Sequence, residues 1–283
     1  MSELSIFSVT RPLVIVGCGK MSGSLLTAWL KKGVAKDSVL IIDPNFDNSS
    51  FGFDASQILT DIRQLPTSKK PKMMVLGIKP QIIFPVLATL KDHGVLADYV
   101  VSIVAGIGQK QIADYLPDNA HLTRIMPNTP SSVGEGVTAA VKRPDMGDDE
   151  KSLISAMMNA VGKGFWVDNE NELDMVTGVS GSGPAYVFHM VEALAAAGVN
   201  VGLEEDQAMA MARQTIIGAA KLLSESDEDA RQLRRNVTSP NGTTEAGLNV
   251  LMADDGLGRL MRHTVKAAID RAKELSKEMS GDD

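Results

Sequence analysis

The sequence predicts an α/β protein, with an N-terminal Rossmann-type doubly wound sheet followed by an all-α C-terminal domain. Three observations predict this fold. In the first half of the chain, short apolar runs rich in β-branched residues alternate with stretches long enough for a helix. The runs are apolar at consecutive positions, as in parallel strands that helices cover on both faces. After residue 167 no strand-like run recurs, and apolar residues follow helical spacing instead.

The predicted strands all lie in the first half of the chain. The first four leave room between them for helices, which parallel strands need as connections. Two more extend the sheet before a turn at Pro144. The strands are predicted over 13–16, 38–42, 73–78, 99–104, 122–126 and 136–141. We predict a domain boundary near 168–170, which divides the chain into a sheet domain, 1–168, and a helical domain, 169–283.

The second half is predicted to be entirely helical. Its most apolar long segment, 184–203, is interrupted by His189 and Glu192, so a buried helix is favoured over a membrane span. Apolar residues recur at helical spacing over 208–223 and 257–272, and the many Met and Ala residues among them indicate close helix packing. A helical domain this apolar predicts burial against a second copy, and hence a homo-oligomer.

Composition excludes several classes of protein. The chain has 35 Asp and Glu residues against 28 Lys and Arg, so it lacks the basic surface that nucleic acid or anionic lipid requires. Its one cysteine, Cys18, has no partner for an internal disulfide, and its four scattered histidines match no zinc-binding spacing. We therefore predict a cytoplasmic protein without metal, nucleic-acid or membrane partners. Residues 1–11 do not resemble a secretory signal, and they predict a short disordered lead.

A glycine-rich motif follows the first predicted strand and precedes a helix predicted to begin near Ser22. Its first glycine permits a tight turn, and its second lets the backbone approach a pyrophosphate, whose charge then lies at the positive end of the helix. The alternative is an ordinary strand-to-helix turn. The context favours a dinucleotide site formed by Gly17, Cys18, Gly19, Lys20, Met21 and Ser22.

Asp43 ends the second predicted strand. An acidic residue at this place normally hydrogen-bonds the ribose hydroxyls of NADH and repels the extra phosphate of NADPH. The loop over 43–50 contains no arginine for a 2′-phosphate, although four of its residues are possible hydrogen-bond donors: Asn45, Asn48, Ser49 and Ser50. The alternative role for Asp43 is a cap or turn residue before Pro44.

Three further strand ends are predicted to face the cofactor, because ligands of open α/β sheets bind outside the carboxyl ends of the strands. For Lys79 a solvated loop lysine is an equal alternative. For the Met-Pro-Asn-Thr-Pro segment, 126–130, a rigid crossover loop is an equal alternative. The cofactor-facing residues at these ends are Gly77, Lys79, Pro80, Ala105 and Asn128.

Two motifs lie in the helical half. Residues 178–185 lack the preceding strand and the final glycine of a hydrolase nucleophile elbow, whereas Ser182 as N-cap with Pro184 in the first turn is a sound helix start. A close-packed turn between domains is the other interpretation. In 236–248, Pro-Asn-Gly makes a turn before a helix, whose free N–H groups and hydroxyls suit a small carboxylate. Simple helix capping is the alternative.

Together these motifs resemble the pyrroline-5-carboxylate reductase family, in order and in spacing. The resemblance covers nearly the whole chain. Its Gly-Ser-Gly-Pro-Ala run and Ser-Pro-x-Gly-x-Thr loop are far more specific than the nucleotide motif, which many dehydrogenases share. The segments that carry it are 17–21, 79–80, 126–130, 178–186 and 236–248.

The resemblance implies reduction of 1-pyrroline-5-carboxylate to L-proline by hydride from NADPH or NADH, the last step of proline biosynthesis. It also implies a dimer formed through the helical domain, which in this family is frequently assembled into decamers. Family members that prefer NADPH often carry Arg or Ser after the second strand, whereas this chain has Asp43, Pro44 and Asn45 there. The preferred cofactor is therefore left open.

The resemblance also implies roles for individual residues. The residue matching Thr244 lies near the ring nitrogen of the substrate, so Thr244 is the candidate for hydrogen bonding or proton delivery. The position matching Glu170 contacts ligands in some members, although an exposed acid at the domain boundary is an equal interpretation here. The loop that holds the substrate carboxylate matches Ser239, Gly242, Thr243 and Thr244.

Two other functions are compatible with parts of the pattern. A hydroxyacid-type dehydrogenase of the same two-domain plan would use a Lys and Asn pair on the long helix, which instead carries Tyr186, His189 and Glu192. A non-catalytic nucleotide-sensing protein would keep the fold and the cofactor motif. An intact substrate loop with Thr244 argues against the sensor.

Overall fold

The computed structural model describes residues 3–95, 97–117 and 119–280. These residues separate into two compact units. The first contains the chain up to Gly181 together with the last helix from Ala268 onward, and the second spans Ser182–Ala267. The division after residue 168 stays a prediction.

An eight-stranded sheet forms the centre of the first unit, with the strand order β3-β2-β1-β4-β5-β6-β7-β8. All neighbours from β3 to β6 are parallel, which confirms the predicted doubly wound sheet. The strands are β1 Leu13–Val16, β2 Val39–Ile42, β3 Ile58–Leu59, β4 Met73–Leu76, β5 Tyr99–Ser102, β6 His121–Met126, β7 Gly136–Val141 and β8 Gly162–Val167.

Helices connect the strands and continue into the second unit. They are α1 Lys20–Lys31, α2 Ile83–His93, α3 Gln109–Ala113, α4 Asp148–Asn159, α5 Glu170–Val176, α6 Gly183–Asn200, α7 Glu205–Glu225, α8 Ala230–Asn236, α9 Thr243–Leu251 and α10 Leu257–Ser280. A π-helical turn, Thr177–Gly181, follows α5. Short 3₁₀ helices occupy several of the loops.

Alternate residues of the strands enter two cores, one on each face of the sheet. On one face Leu13 and Ile15 pack with Leu26 and Trp29 of α1, and the indole Nε1 of Trp29 donates to the carbonyl of Met157 in α4 (2.9 Å). On the other face the strands pack with α2 and α3. Because both faces of each parallel strand are buried, the strands are apolar at consecutive positions.

The edge beyond β6 departs from the parallel pattern. β7 runs antiparallel to β6, with Ile125 opposite Ala140, and β8 is parallel to β7. The connection over 127–135 is too short for a parallel crossover, which takes about a dozen residues or more. The connection between β7 and β8 contains α4 and is long enough.

The predicted disordered lead is wrong for the described residues. Glu3–Ile6 forms a 3₁₀ helix, and Leu4 and Phe7 are buried against the core that contains α4. Leu4 lies within the 3₁₀ helix and Phe7 follows it directly, so both ends of this short turn are fixed to the core.

The long apolar helix is present, but the prediction that it is buried is wrong for the single chain. Of the residues of α6 only Ala195 is buried, and Phe188 is 64% exposed. α6 packs closely on α7 within the second unit: a methyl group added at Gly198 would lie 3.2 Å from Cβ of Ala208. This close approach confirms the predicted helix packing. No helix in the described ranges has the length and apolarity that crossing a membrane requires.

Candidate functional site

The glycine-rich loop lies at the carboxyl end of β1, where a ligand of an open α/β sheet binds. Gly17 has φ +82°, which favours glycine. A methyl group added there would lie 2.6 Å from Cγ2 of Ile78 and 2.9 Å from the carbonyl carbon of Gly77. Glycine is therefore required where the loop after β1 passes the loop after β4.

The same loop ends at the N-terminus of α1. Gly19 is the N-cap and makes no side-chain capping bond, and a methyl group added to it would meet no atom within 4 Å. The first-turn N–H groups of Lys20, Met21 and Ser22 have no acceptors within the helix, and they carry the positive end of its dipole. The open space in front of these groups suits a pyrophosphate.

Ser22 has a packing role at the base of the glycine-rich loop. Its hydroxyl is fully buried and has no hydrogen-bond partner in the described part of the chain. A methyl group added to Gly77 would lie 2.0 Å from this oxygen and 2.9 Å from the carbonyl oxygen of Gly17. Gly77 thus brings α1, β1 and β4 together at the base of the loop.

Asp43 links the glycine-rich loop to the loop after β2. Its Oδ2 accepts a hydrogen bond from the Cys18 N–H (2.8 Å), and its Oδ1 accepts one from the Asn45 N–H (2.8 Å). The predicted turn role before Pro44 is therefore present. Each carboxylate oxygen keeps a further lone pair for a ligand.

A cavity of about 770 Å³ opens at these strand ends. Six residues of the predicted cofactor set line it: Gly17, Cys18, Gly19, Asp43, Gly77 and Lys79. In the described ranges the rest of that set lies outside the lining: Lys20, Met21, Ser22, Pro80, Ala105 and Asn128. Lys79 and Ala105 are exposed and follow β4 and β5 directly. The glycine geometry, the uncapped helix and the anchored carboxylate together fit a dinucleotide.

The far side of this cavity is lined by residues that the sequence motifs do not predict. Thr60 and Asp61 follow β3, and Ile82, Pro85, Val86 and Thr89 come from the start of α2 and the turn before it. β3 has only two residues, too few for a recognisable apolar run. The available signal was Asp61 followed by Gln64, a capping-box spacing that marks the start of the short 3₁₀ helix Ile62–Gln64.

Cys18 is one of the residues that line this cavity, but its buried thiol is not a nucleophile. Burial, with a smaller contribution from the charge of Asp43, raises its pKa to about 12. The thiol therefore stays protonated at neutral pH, and the thiolate is the reactive form. In the described ranges, no group of three or more His, Cys, Asp and Glu side chains is placed to hold a metal ion.

Asn128 is buried between β6 and the 3₁₀ helix Thr129–Val133. Its Nδ2 donates to the carbonyl oxygen of Ser180 (2.8 Å), and its Oδ1 accepts from the Val137 N–H (2.8 Å). Ser180 belongs to the π-helical turn that directly precedes α6. One side chain thus joins the Met-Pro-Asn-Thr-Pro motif to the π-helical turn Thr177–Gly181 within the first unit.

We expect Asn128→Ala to lower the free energy of unfolding by about 3 kcal/mol, because it leaves the partly buried Ser180 carbonyl and Val137 N–H without their hydrogen-bond partner. Urea denaturation of the full chain measures this change. Asn159→Ala is the matched control, since exposed Asn159 accepts a single backbone hydrogen bond, from Gly164 (3.0 Å). The control should lose less than about 1 kcal/mol. Equal losses in the two variants would contradict the linking role of Asn128.

Glu170 begins α5 and forms an ion pair with Arg124 of β6, which is only 2% exposed. Its other oxygen accepts from the N–H of Gln109 at the start of α3 (3.1 Å). Burial raises the pKa of nearby Asp174, the charge of Arg124 opposes this shift, and the charge of Glu170 adds to it. Glu170 thus connects β6, α3 and α5, and its side chain is 36% exposed.

The other predicted substrate residues lie in the second unit. Asn241 has φ +58°, and its N–H donates to Oε2 of Glu245 (2.7 Å). Gly242 is the N-cap of α9 and has no side chain to cap it. The exposed Thr243 and Thr244 occupy the first two positions of α9, and within the described chain their hydroxyls have no hydrogen-bond partner. The free N–H groups and hydroxyls of this helix end suit a small carboxylate.

Comparison with known proteins identifies relatives over almost the full length. Residues 170–275 match the family model "Pyrroline-5-carboxylate reductase dimerisation", and residues 12–106 match "NADP oxidoreductase coenzyme F420-dependent". A pyrroline-5-carboxylate reductase of Synechocystis sp. is 37% identical, over 94% of this chain and 98% of that protein.

Solved structures agree with this match. A pyrroline-5-carboxylate reductase from Coxiella burnetii superposes with a TM-score of 0.85 and 33% identity, over 95% of this chain and 99% of that one. The Plasmodium falciparum pyrroline carboxylate reductase, solved with NADP bound, superposes with a TM-score of 0.77 and 26% identity, over 94% and 98% of the two chains.

Proposed function

Because the chain belongs to the pyrroline-5-carboxylate reductase family, we propose that it reduces 1-pyrroline-5-carboxylate to L-proline with NADPH or NADH, as the last step of proline biosynthesis. The observation that carries this proposal is a full-length match to reductases in a chain that has both a dinucleotide cavity and an uncapped substrate loop. The hydroxyacid-type dehydrogenase is not favoured.

The cofactor is proposed to bind along the carboxyl ends of the strands. Its pyrophosphate lies against the N-terminus of α1, where Gly17 and Gly19 leave room for it. Asp43 contacts the adenosine ribose. The remaining residues proposed for this site are Cys18, Lys20, Met21, Ser22, Gly77, Lys79, Pro80, Ala105 and Asn128.

For the substrate we propose the loop that opens α9. The N-terminus of a helix attracts anions through its free N–H groups and its dipole. Glu245, the acid nearest to this end in sequence, is already tied to the Asn241 N–H, so its charge is partly satisfied. The proposed carboxylate site consists of Ser239, Gly242, Thr243 and Thr244.

When bound, a nicotinamide cofactor would supply the hydride that adds to the ring carbon of the C=N bond. One proton reaches the ring nitrogen before hydride transfer, and Thr244 Oγ1 is proposed to deliver that proton or to hydrogen-bond the nitrogen. Hydride then adds to the carbon, the electron pair of the C=N bond moves onto the protonated nitrogen, and the neutral ring amine forms without a second proton. Because the protonated imine is electrophilic, holding the two reactants in near-attack geometry supplies much of the acceleration. No strong base or nucleophile is needed, in accord with the protonated thiol of Cys18.

Glu170 is proposed as a further substrate contact. Its half-exposed carboxylate is held by the buried guanidinium of Arg124 and by the Gln109 N–H. An acid held from two sides keeps a defined position, as a ligand contact requires.

The functional domains proposed are 1–168 and 169–283, and the second is proposed to form a homodimer, which assembles further into a decamer. The dimerisation model begins at residue 170, and the second unit exposes large apolar side chains such as Phe188 and Leu194. Exposed apolar surface of this kind is typical of an interface. A cytoplasmic location is proposed because Cys18 is a free thiol.

The test is an assay with 1-pyrroline-5-carboxylate in which loss of reduced nicotinamide absorbance is followed with NADH and with NADPH. We expect oxidation of at least one nucleotide together with formation of proline. A 2-oxo acid in place of the imine is the control for the hydroxyacid-type dehydrogenase. A protein that binds nucleotide but oxidises it only with the 2-oxo acid, or with neither compound, would contradict the proposal.

A further inference from the structure

We propose that this site prefers NADH to NADPH, because its adenosine end carries an anchored carboxylate, Asp43, and a second one, Asp61, which follows the neighbouring strand β3. The inference rests on the proposed function only for the identity of the cavity as a nicotinamide dinucleotide site. It concerns the ribose 2′ position, where NADPH carries a phosphate and NADH a hydroxyl.

Asp43 is fixed in place. Its two oxygens accept from Cys18 and Asn45 at 2.8 Å each, so the side chain cannot rotate away from a ligand without losing both bonds. The free lone pairs accept hydrogen bonds from ribose hydroxyls. A 2′-phosphate is mostly deprotonated at neutral pH, so it offers these lone pairs few protons and brings up to two negative charges.

Asp61 adds a second negative charge to the same cavity. It follows β3, the neighbour of β2 in the sheet, and its Oδ1 accepts from the Arg63 N–H (2.8 Å). The exposed guanidinium of Arg63 lies beside that oxygen, with Nε at 3.3 Å, and offsets part of the charge. In the described part of the chain both hydrogen bonds to Asp43 come from backbone N–H groups and none from a cation, so Asp43 should contribute more to the discrimination.

The positive charge of the cavity lies elsewhere. Among the described lining residues Lys79 is the only Lys or Arg, and it follows β4. In the sheet, β4 and β2 lie on opposite sides of β1. The glycine-rich loop, which follows β1, therefore lies between Lys79 and the Asp43 end of the cavity. Among the described lining residues, no Lys or Arg lies at the Asp43 end.

Isothermal titration calorimetry with NADH and NADPH tests the preference without turnover. We expect NADH to bind at least about tenfold more tightly, as expected for like charges in contact at a partly solvated site. The fragments 5′-AMP and adenosine 2′,5′-bisphosphate, titrated in the same way, assign the difference to the 2′ position. Equal or tighter binding of NADPH overturns the proposal.

Variants then test the assignment to residues. Asp43→Asn keeps the side-chain size and one acceptor oxygen, and it should remove most of the preference, while Asp61→Asn should remove less. Asp54→Asn is the matched control, because Asp54 caps a neighbouring 3₁₀ helix through Ser56 (2.8 Å) and lies outside the cavity lining. It should retain the wild-type ratio.

An unchanged ratio in both Asp43→Asn and Asp61→Asn would overturn the assignment. Thermal unfolding of each variant shows that it is folded, and the wild-type ratio decides the preference even if Asp43→Asn does not fold. Turnover of the imine with NADPH as the better cofactor would contradict the inferred NADH preference but would leave the proposed reductase function intact. Tight NADH binding without turnover of the imine would contradict the reductase function but would leave the NADH preference intact.

Discussion

Gly77→Ala is expected to lower the free energy of unfolding by about 3 kcal/mol and to abolish nucleotide binding. The added methyl group would lie 2.0 Å from the buried Ser22 hydroxyl and 2.9 Å from the carbonyl oxygen of Gly17. Forcing a methyl group into a packed site costs about 1–3 kcal/mol of stability. We expect a cost near the upper end of this range, because the Gly17 backbone next to the added methyl group cannot move away from it. The strain would also displace the loop on which the cofactor lies.

Chemical denaturation and calorimetry with NADH measure the two effects. Gly147→Ala is the control for stability, because Gly147 precedes α4 with no atom within 4 Å of an added methyl group, and it should cost less than about 1 kcal/mol. Gly19→Ala separates the two effects. Its methyl group has space in the protein but occupies the proposed pyrophosphate position, so binding should weaken while stability is kept. A Gly77→Ala protein with wild-type stability and binding would contradict this account of the loop.

Thr244→Ala is expected to lower kcat by about 100-fold, the lower end of the range for a positioned proton donor. Its hydroxyl has no other partner in the described chain, and its removal should leave the nucleotide Kd unchanged, because nucleotide binding depends on the loops of the first unit. Steady-state kinetics with the imine measure kcat and KM separately.

Thr244→Ser should restore most of the rate, because it keeps the hydroxyl. Thr215→Ala is the matched control, since Thr215 is a helix threonine of the same unit whose hydroxyl donates to the Met211 carbonyl (2.8 Å). It should have wild-type kcat. Unchanged activity of Thr244→Ala would remove Thr244 from the mechanism.

The sheet could be predicted from the sequence because its strands are buried on both faces. The predicted bounds of β1 and β7 are those observed, and β4 ends at Leu76, before the predicted residue 78. It ends there because Gly77 turns toward the glycine-rich loop. β3 was not predicted, because a strand of two residues shows no periodicity. The antiparallel direction of β7 was not predicted either, because it depends on the short connection from β6 and no motif indicates strand direction.

The candidate site could be predicted from the sequence only where one short segment determines the backbone geometry. The glycine-rich loop and the uncapped start of α9 are local, so residue type and order indicate them. Contacts between distant segments have no such signal. The bonds of Asn128 to Ser180, of Glu170 to Gln109 and of Asp43 to Cys18 each join segments whose proximity only the fold establishes.

Likewise, the exposure of α6 depends on what lies around it rather than on its own pattern. Apolar residues occur on most sides of this helix, as expected for a buried one, yet within the single chain Phe188 and Leu194 remain exposed. The sequence pattern indicates that the surface of α6 is apolar. It does not indicate whether the same chain or a second copy covers that surface.

The most direct test of the reductase function is transfer of a labelled hydride. The protein would be incubated with 1-pyrroline-5-carboxylate and NADH carrying deuterium at the transferable C4 position, and the product analysed by mass spectrometry and chiral chromatography. We predict L-proline with one deuterium, at the carbon that was double-bonded to nitrogen. Proline without deuterium, or oxidation of the nucleotide without proline, would contradict the account.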